Sequence, residues 1–171
     1  MLCIVYSKII TTFVTSNIKD MGKKVYQLEG GQYQILTINR KKVVQFVHNG
    51  NIVQLANLKV HDDLSEETMC FSADIIFNGT HGGVCSNNGK GGCANVYPEG
   101  DFVAYAYNEL SSVDNYIFSK PDNVYDIIDS LACYQASVND CRGNKAEFDK
   151  WYAWVTKHND ELRARYKNIK L

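Results

Sequence analysis

The residues best suited to chemistry lie in one stretch, Asn78 to Asp101, which reads NGTHGGVCSNNGKGGCANVYPEGD. It sets His81, Cys85 and Cys93 in the spacing H-x3-C-x7-C and places Lys90 in a Gly-Lys-Gly-Gly run. A metal site is one chemistry these types can build. Thiolate and imidazole together suit tetrahedral Zn2+, and Cys70, or one of Cys133 and Cys141, would supply a fourth ligand. Paired C-x2-C knuckles are absent, so no cofactor is expected and zinc at His81, Cys85, Cys93 and Cys70 is the alternative.

A thiol nucleophile is a second chemistry. Cys85 or Cys93 would need a base such as His81 within reach to form thiolate. No local signature of a cysteine hydrolase surrounds either residue. Phosphate binding is a third, because glycine-rich backbone with a lysine can cradle an anion. Neither G-x-x-x-x-G-K-[ST] nor G-x-G-x-x-G occurs, however.

The segment holds seven of the twelve glycines and one of the two prolines. That richness in Gly and Asn predicts a long internal loop over 78–101, and long loops inside compact domains often carry function. Contact is therefore the expected role, with His81, Asn87, Asn88 and Lys90 offering the polar groups. Trp154 is the fifth candidate, because it lies about 100° off the apolar stripe of its helix and Trp is enriched at binding hot spots.

The elements that must position these residues read as an α+β domain. Asn49-Gly50 sits between two β-rich segments, the strongest short hairpin signal. Tyr33 to Ile38 precedes it as another strand across Asn39-Arg40-Lys41-Lys42, and Val25 to Leu28 adds one more, turning at Gly30-Gly31. Asp62 to Met69 reads as a helical turn or loop. Cys70 to Phe77 and Phe102 to Tyr107 read as strands, with Tyr105 and Tyr107 on one face. Pro121 suits the first turn of a helix through Val124, Ile127, Ile128 and Leu131. Asn139 to Gly143 breaks it, and Asn144 with Glu147 is close to a capping box. Phe148, Trp151, Tyr152, Val155, Leu162 and Tyr166 then form one helical stripe. The expectation is an antiparallel meander from the first two-thirds, packed by two C-terminal helices.

At 171 residues the chain is one domain by size. Residues 1–20 fit a signal peptide poorly, because Lys8 interrupts the apolar run and no basic region precedes it. They are expected to form a peripheral strand, or an extension ahead of a start at Met21. Reduced cysteines follow as the default, with Cys133 and Cys141 the first suspects for any bridge. No apolar run approaches the roughly 18 residues of a membrane span.

A net charge of −1 argues against a surface built wholly for nucleic acid. Three basic clusters keep nucleic acid as a weaker partner: Lys23-Lys24, Arg40-Lys41-Lys42, and Arg163, Arg165, Lys167 and Lys170. The Asn-, Tyr-, Ile- and Lys-rich, Pro-poor usage fits an AT-rich genome such as that of a virus or phage. The expected function is a small cytoplasmic interaction protein that binds a host macromolecule, a protein, through 78–101. The alternative is a Cys/His hydrolase or a nucleotide- or phosphate-binding protein that uses the same residues.

Overall fold

Three two-residue turns, each led by asparagine, shape the sheet in the computed structural model. Asn39-Arg40, Asn49-Gly50 and Asn78-Gly79 all have φ between +47° and +80° at both positions, the mark of a type I′ turn. They close the antiparallel pairs Ile38 with Lys41, His48 with Asn51, and Phe77 with Thr80. Residues 24–97, 100–109 and 124–166 are described; the expectations for residues 1–20 and for Pro121 fall outside them.

Seven strands run in sequence order through one antiparallel meander. They are β1 (Tyr26–Leu28), β2 (Tyr33–Ile38), β3 (Lys41–His48), β4 (Asn51–Val60), β5 (Cys70–Phe77), β6 (Thr80–Asn88) and β7 (Asn95–Tyr97). Helices α1 (Asp101–Glu109), α2 (Val124–Asp140) and α3 (Lys145–Tyr166) follow. The expected meander with two C-terminal helices is what forms. Short 3-10 turns at Glu29–Gly31 and Asp62–Leu64 complete the described elements.

Two expectations are corrected. The 78–101 segment is not a long loop. Asn78-Gly79 is a hairpin turn, and β6 follows with Gly83, Cys85 and Asn87 buried while Val84, Ser86 and Asn88 are exposed. That alternation is what a strand with one covered face requires. Gly82 is the extra residue of a bulge, since Ile75 pairs with Gly83 and Ile76 with His81. Residues 102–107 are likewise not a strand but part of α1. Its Phe102 and Tyr105 rings sit 5.8 Å and 5.1 Å from the ring of Phe77, so packing outweighs the β-propensity of the aromatic run.

The alternation of strand residues puts the core on one face. Ile35 pairs with Val44, Phe46 with Val53, Leu55 with Ile75, and Ala73 with Cys85, and all eight are buried. α2 lies over β3 and β4, adding Ile128, Leu131 and Ala132. α3 covers β1 through Phe148 and Tyr152, whose rings lie 4.8 Å and 5.0 Å from Tyr26. The Asn144 cap is as expected: its Oδ1 accepts from the amides of Ala146 and Glu147. On the opposite face Gln27, Gln34, Gln45 and Gln54 align across four strands. Gln45 donates to Gln34 and Gln54 to Gln45, which satisfies the amides of a row only partly open to water.

The turn analysis predicts that Gly50→Val, which puts a β-branched residue at φ +79°, lowers stability by roughly 1–2 kcal/mol. A thermal melt of the variant checks it.

Candidate anion-binding cleft

The sheet is not continuous between β3 and β4. The two pair from His48 with Asn51 to Gln45 with Gln54 and then part. The cause is a bulge in β4. Ala56 pairs with Asp74 and Lys59 with Ser72, so Asn57 and Leu58 together oppose one residue, Ala73. Asn57 takes φ +53°, as an asparagine can, and donates its amide to Asp74. A bulge bends its strand and raises its twist, which turns β4 away from β3.

The parting would strand backbone groups of β3, and α2 answers it. Gln135 is buried; its Oε1 accepts from the Val44 amide at 2.8 Å and its Nε2 donates to the Lys42 carbonyl at 3.2 Å. One side-chain amide thus takes the place of a peptide group in a neighbouring strand. Nε2 also donates to Asn139 Oδ1 at 2.9 Å.

A cleft of about 640 Å³ opens beside this repair, walled by the Thr37–Val43 end of the β2–β3 hairpin, by Leu55, Asn57 and Leu58, and by the α2–α3 junction. Among the described residues its lining includes Arg40, Lys41, Lys42 and Lys145 and no acidic residue. Lys145 is ion-paired with Asp149 one turn on. Arg40 and Lys41 are exposed and have no ion pair among the described residues. Lys42 is half-buried, with its ammonium 4.0 Å from the Phe148 ring centre and 5.0 Å from that of Tyr26. Burial pulls its pKa below the ordinary lysine value, against the opposing pull of Asp149.

One of these cations sits where it costs stability. Arg40 has φ +67°, and the equivalent position in the other two I′ turns is a glycine, Gly50 or Gly79. A side chain in the left-handed region is strained relative to glycine. Lys42 is partly desolvated, and the two rings and Asp149 offset that loss. Backbone strain and shifted titration both concentrate at functional sites.

The residues singled out from sequence lie elsewhere and are not brought together. His81 is exposed at the start of β6, with Nε2 3.8 Å from Asp74. Cys85 faces the core, whereas Cys70 pairs with Asn88 on the opposite face of the sheet. Cys93 is exposed, 3.8 Å from Asp126 of α2. Among the described residues no group of three or more His, Cys, Asp or Glu could hold a metal ion. Nor does a disulfide join Cys70, Cys85, Cys93, Cys133 or Cys141. Burial, then the nearby charges of Asp129 and Asp74, push the Cys85 thiol up to about 12, the reverse of what a nucleophile needs.

Asn87 is a buried strut. Its Oδ1 accepts from Thr68 and the Gly89 amide, and its Nδ2 donates to the Gly92 carbonyl and to Asp129. Asp129 also accepts from the Ala94 amide at 2.9 Å, and burial holds its carboxyl above the usual range despite both bonds. The Gly89 carbonyl receives the amides of Glu66, Glu67 and Thr68. A Cβ at Gly89 would lie 2.3 Å from the Leu64 carbonyl oxygen, so only glycine fits this crossing. Asn88 caps the Lys90 amide, and Lys90 projects into solvent. Trp154 is 61% exposed on α3 and stacks on His158. α3 packs on β1, and β6 lies five strands along the sheet, about 24 Å away. Trp154 and the 78–101 residues therefore do not share one small site.

No protein-family model, curated protein or solved structure matches the chain.

Removing the repair should be costly. Gln135→Leu leaves the buried Val44 amide without its acceptor and should lower stability by about 1–3 kcal/mol in denaturant titration. Arg40→Gly should do the reverse, gaining roughly 0.5–1 kcal/mol by relaxing the turn. For Cys85, native-state alkylation by iodoacetamide should stay negligible through pH 9 and rise only near pH 12 or on unfolding. Fast modification at pH 8 would reinstate the nucleophile.

Proposed function

We propose that the protein is a binding module that recognises an anionic ligand in the cleft between β3 and β4. The observation that carries this reading is the lining: among the described residues, four cations and no carboxylate, with two of the cations lacking a described counter-ion. Like charges brought together at one end of the sheet repel one another, and an anion removes that repulsion. The Arg40 guanidinium offers a planar fork to an oxyanion, and Lys42 offers an ammonium steadied by two rings. This is the phosphate-binding alternative moved from Lys90 to Arg40, Lys41 and Lys42.

A second reading keeps a macromolecular partner, a protein, at the 88–94 turn. The observation favouring it is the triple acceptance at the Gly89 carbonyl, which holds the turn and presents Lys90. Asn88 and His81 would flank that contact, and Trp154 would need a partner long enough to cross the sheet. If the gene is viral, that partner is a host macromolecule met in the cytoplasm. No described helix is long and apolar enough to cross a membrane.

Charge reversal separates the two readings. Arg40→Glu with Lys41→Glu should abolish the rise in melting temperature that pyrophosphate gives the wild type at low salt. Lys90→Glu should leave that rise unchanged. Thermal-shift titration reads both, and an effect confined to Lys90→Glu would move the site to the turn.

A further inference from the structure

Resting on the anion-binding reading, we infer that the cleft takes an organic phosphate: a phosphate monoester with an apolar body of nucleoside size. The polar half of the site is built for a phosphate. Arg40 and Lys42 stand two residues apart where the turn enters β3, so one tetrahedral anion can meet a guanidinium and an ammonium together, while Lys41, which strand alternation turns to the other face, adds charge at the rim of the lining. Guanidinium forks match phosphate oxygens in pairs, and lysines add point charge. Lys145, now held by Asp149, lies on the same lining and can turn to a bound anion.

The other half is built for something larger and less polar. About 640 Å³ lies within the range of small-molecule pockets and far exceeds a bare phosphate. Leu58 is the partly exposed apolar surface of the cleft, backed by the buried Leu55 and Val138, with Asn57 and Asn139 at its margin as hydrogen-bonding groups. An inorganic anion would leave Leu58 facing water. An ester would cover it, and the area covered adds affinity that phosphate alone cannot supply. The rings of Tyr26 and Phe148 are engaged by Lys42, so the body is gripped by aliphatic side chains and amides.

The strained turn beside Lys42 supplies an independent mark. Arg40 occupies a left-handed position where the sister turns carry glycine, and Lys42 sits against two rings at the cleft wall. Folding alone does not favour an arginine at that turn position. It makes sense as a group kept for a ligand, since sites often trade stability for function.

Calorimetric titration of the full chain with inorganic phosphate, phenyl phosphate and AMP, at low and physiological salt, tests this. Phenyl phosphate and AMP should bind at least tenfold more tightly than inorganic phosphate. Leu58→Ser should remove that advantage and leave inorganic phosphate binding as it was. Lys42→Met and Arg40→Gly should weaken all three ligands, and for Arg40→Gly the melting temperature should hold or rise, which separates lost binding from lost fold. AMP well above phenyl phosphate would identify a nucleotide, whereas equality would mean that any apolar ester is accepted. Equal affinity for inorganic phosphate and both esters would overturn the organic body and leave the anion reading standing. If a fully folded protein binds none of the three, both readings fail.

Discussion

The Gln135 amide is the contact on which the cleft and much of the sheet depend. Two strands that part inside a sheet leave donors and acceptors without partners, and a buried orphan amide costs about as much as several surface contacts supply. Gln135 resolves this from the helix layer, bonding the Val44 amide and the Lys42 carbonyl together. β3 can then stay straight while β4 bends at Asn57. Because the repair comes from α2, the split also fixes where α2 sits on the sheet. Its next turns deliver Val138 and Asn139 to the cleft, and the short link to α3 delivers Lys145 and Phe148.

The opposite end of the sheet is organised by a different polar centre with the same logic. Asn87 is buried and Asp129 half-buried, and their oxygens and nitrogens are taken up by one another, by the chain between β6 and α1 and by Thr68. The glycines there are structural. Gly89 lies where a side chain would strike the Leu64 carbonyl, and Gly82 is the extra residue of a bulge. A segment that looks chemically rich in sequence is thus mostly occupied in holding its own fold. The strained Arg40 has no comparable structural duty among the described residues.

The fold was legible in sequence wherever local chemistry decides it. Asn49-Gly50 announced a hairpin, and the stripe from Phe148 to Val155 with the Asn144 cap announced α3. The same rule applied to Asn78-Gly79, but the density of glycine downstream masked the alternation of Gly83, Cys85 and Asn87. Asn39-Arg40 was harder to read, because arginine is an unusual second residue for such a turn. The strand expected at Phe102–Tyr107 failed for a tertiary reason, the aromatic contact with Phe77, which no local pattern contains. The cleft was illegible as a site, since its walls come from three stretches far apart in the chain. Only its basic run, Arg40-Lys41-Lys42, stood out, and alone it resembles any solvated turn.

The central claim is that charge recognition occurs at the split between β3 and β4. Backbone amide NMR of the 15N-labelled chain, titrated with pyrophosphate, locates the contact residue by residue. The account predicts saturable shifts at Thr37 to Val43, at Asn57 and Leu58, and from Gln135 to Phe148, with Asn88 to Ala94 unmoved. Shifts confined to Asn88–Ala94, or none at saturating ligand, would contradict it.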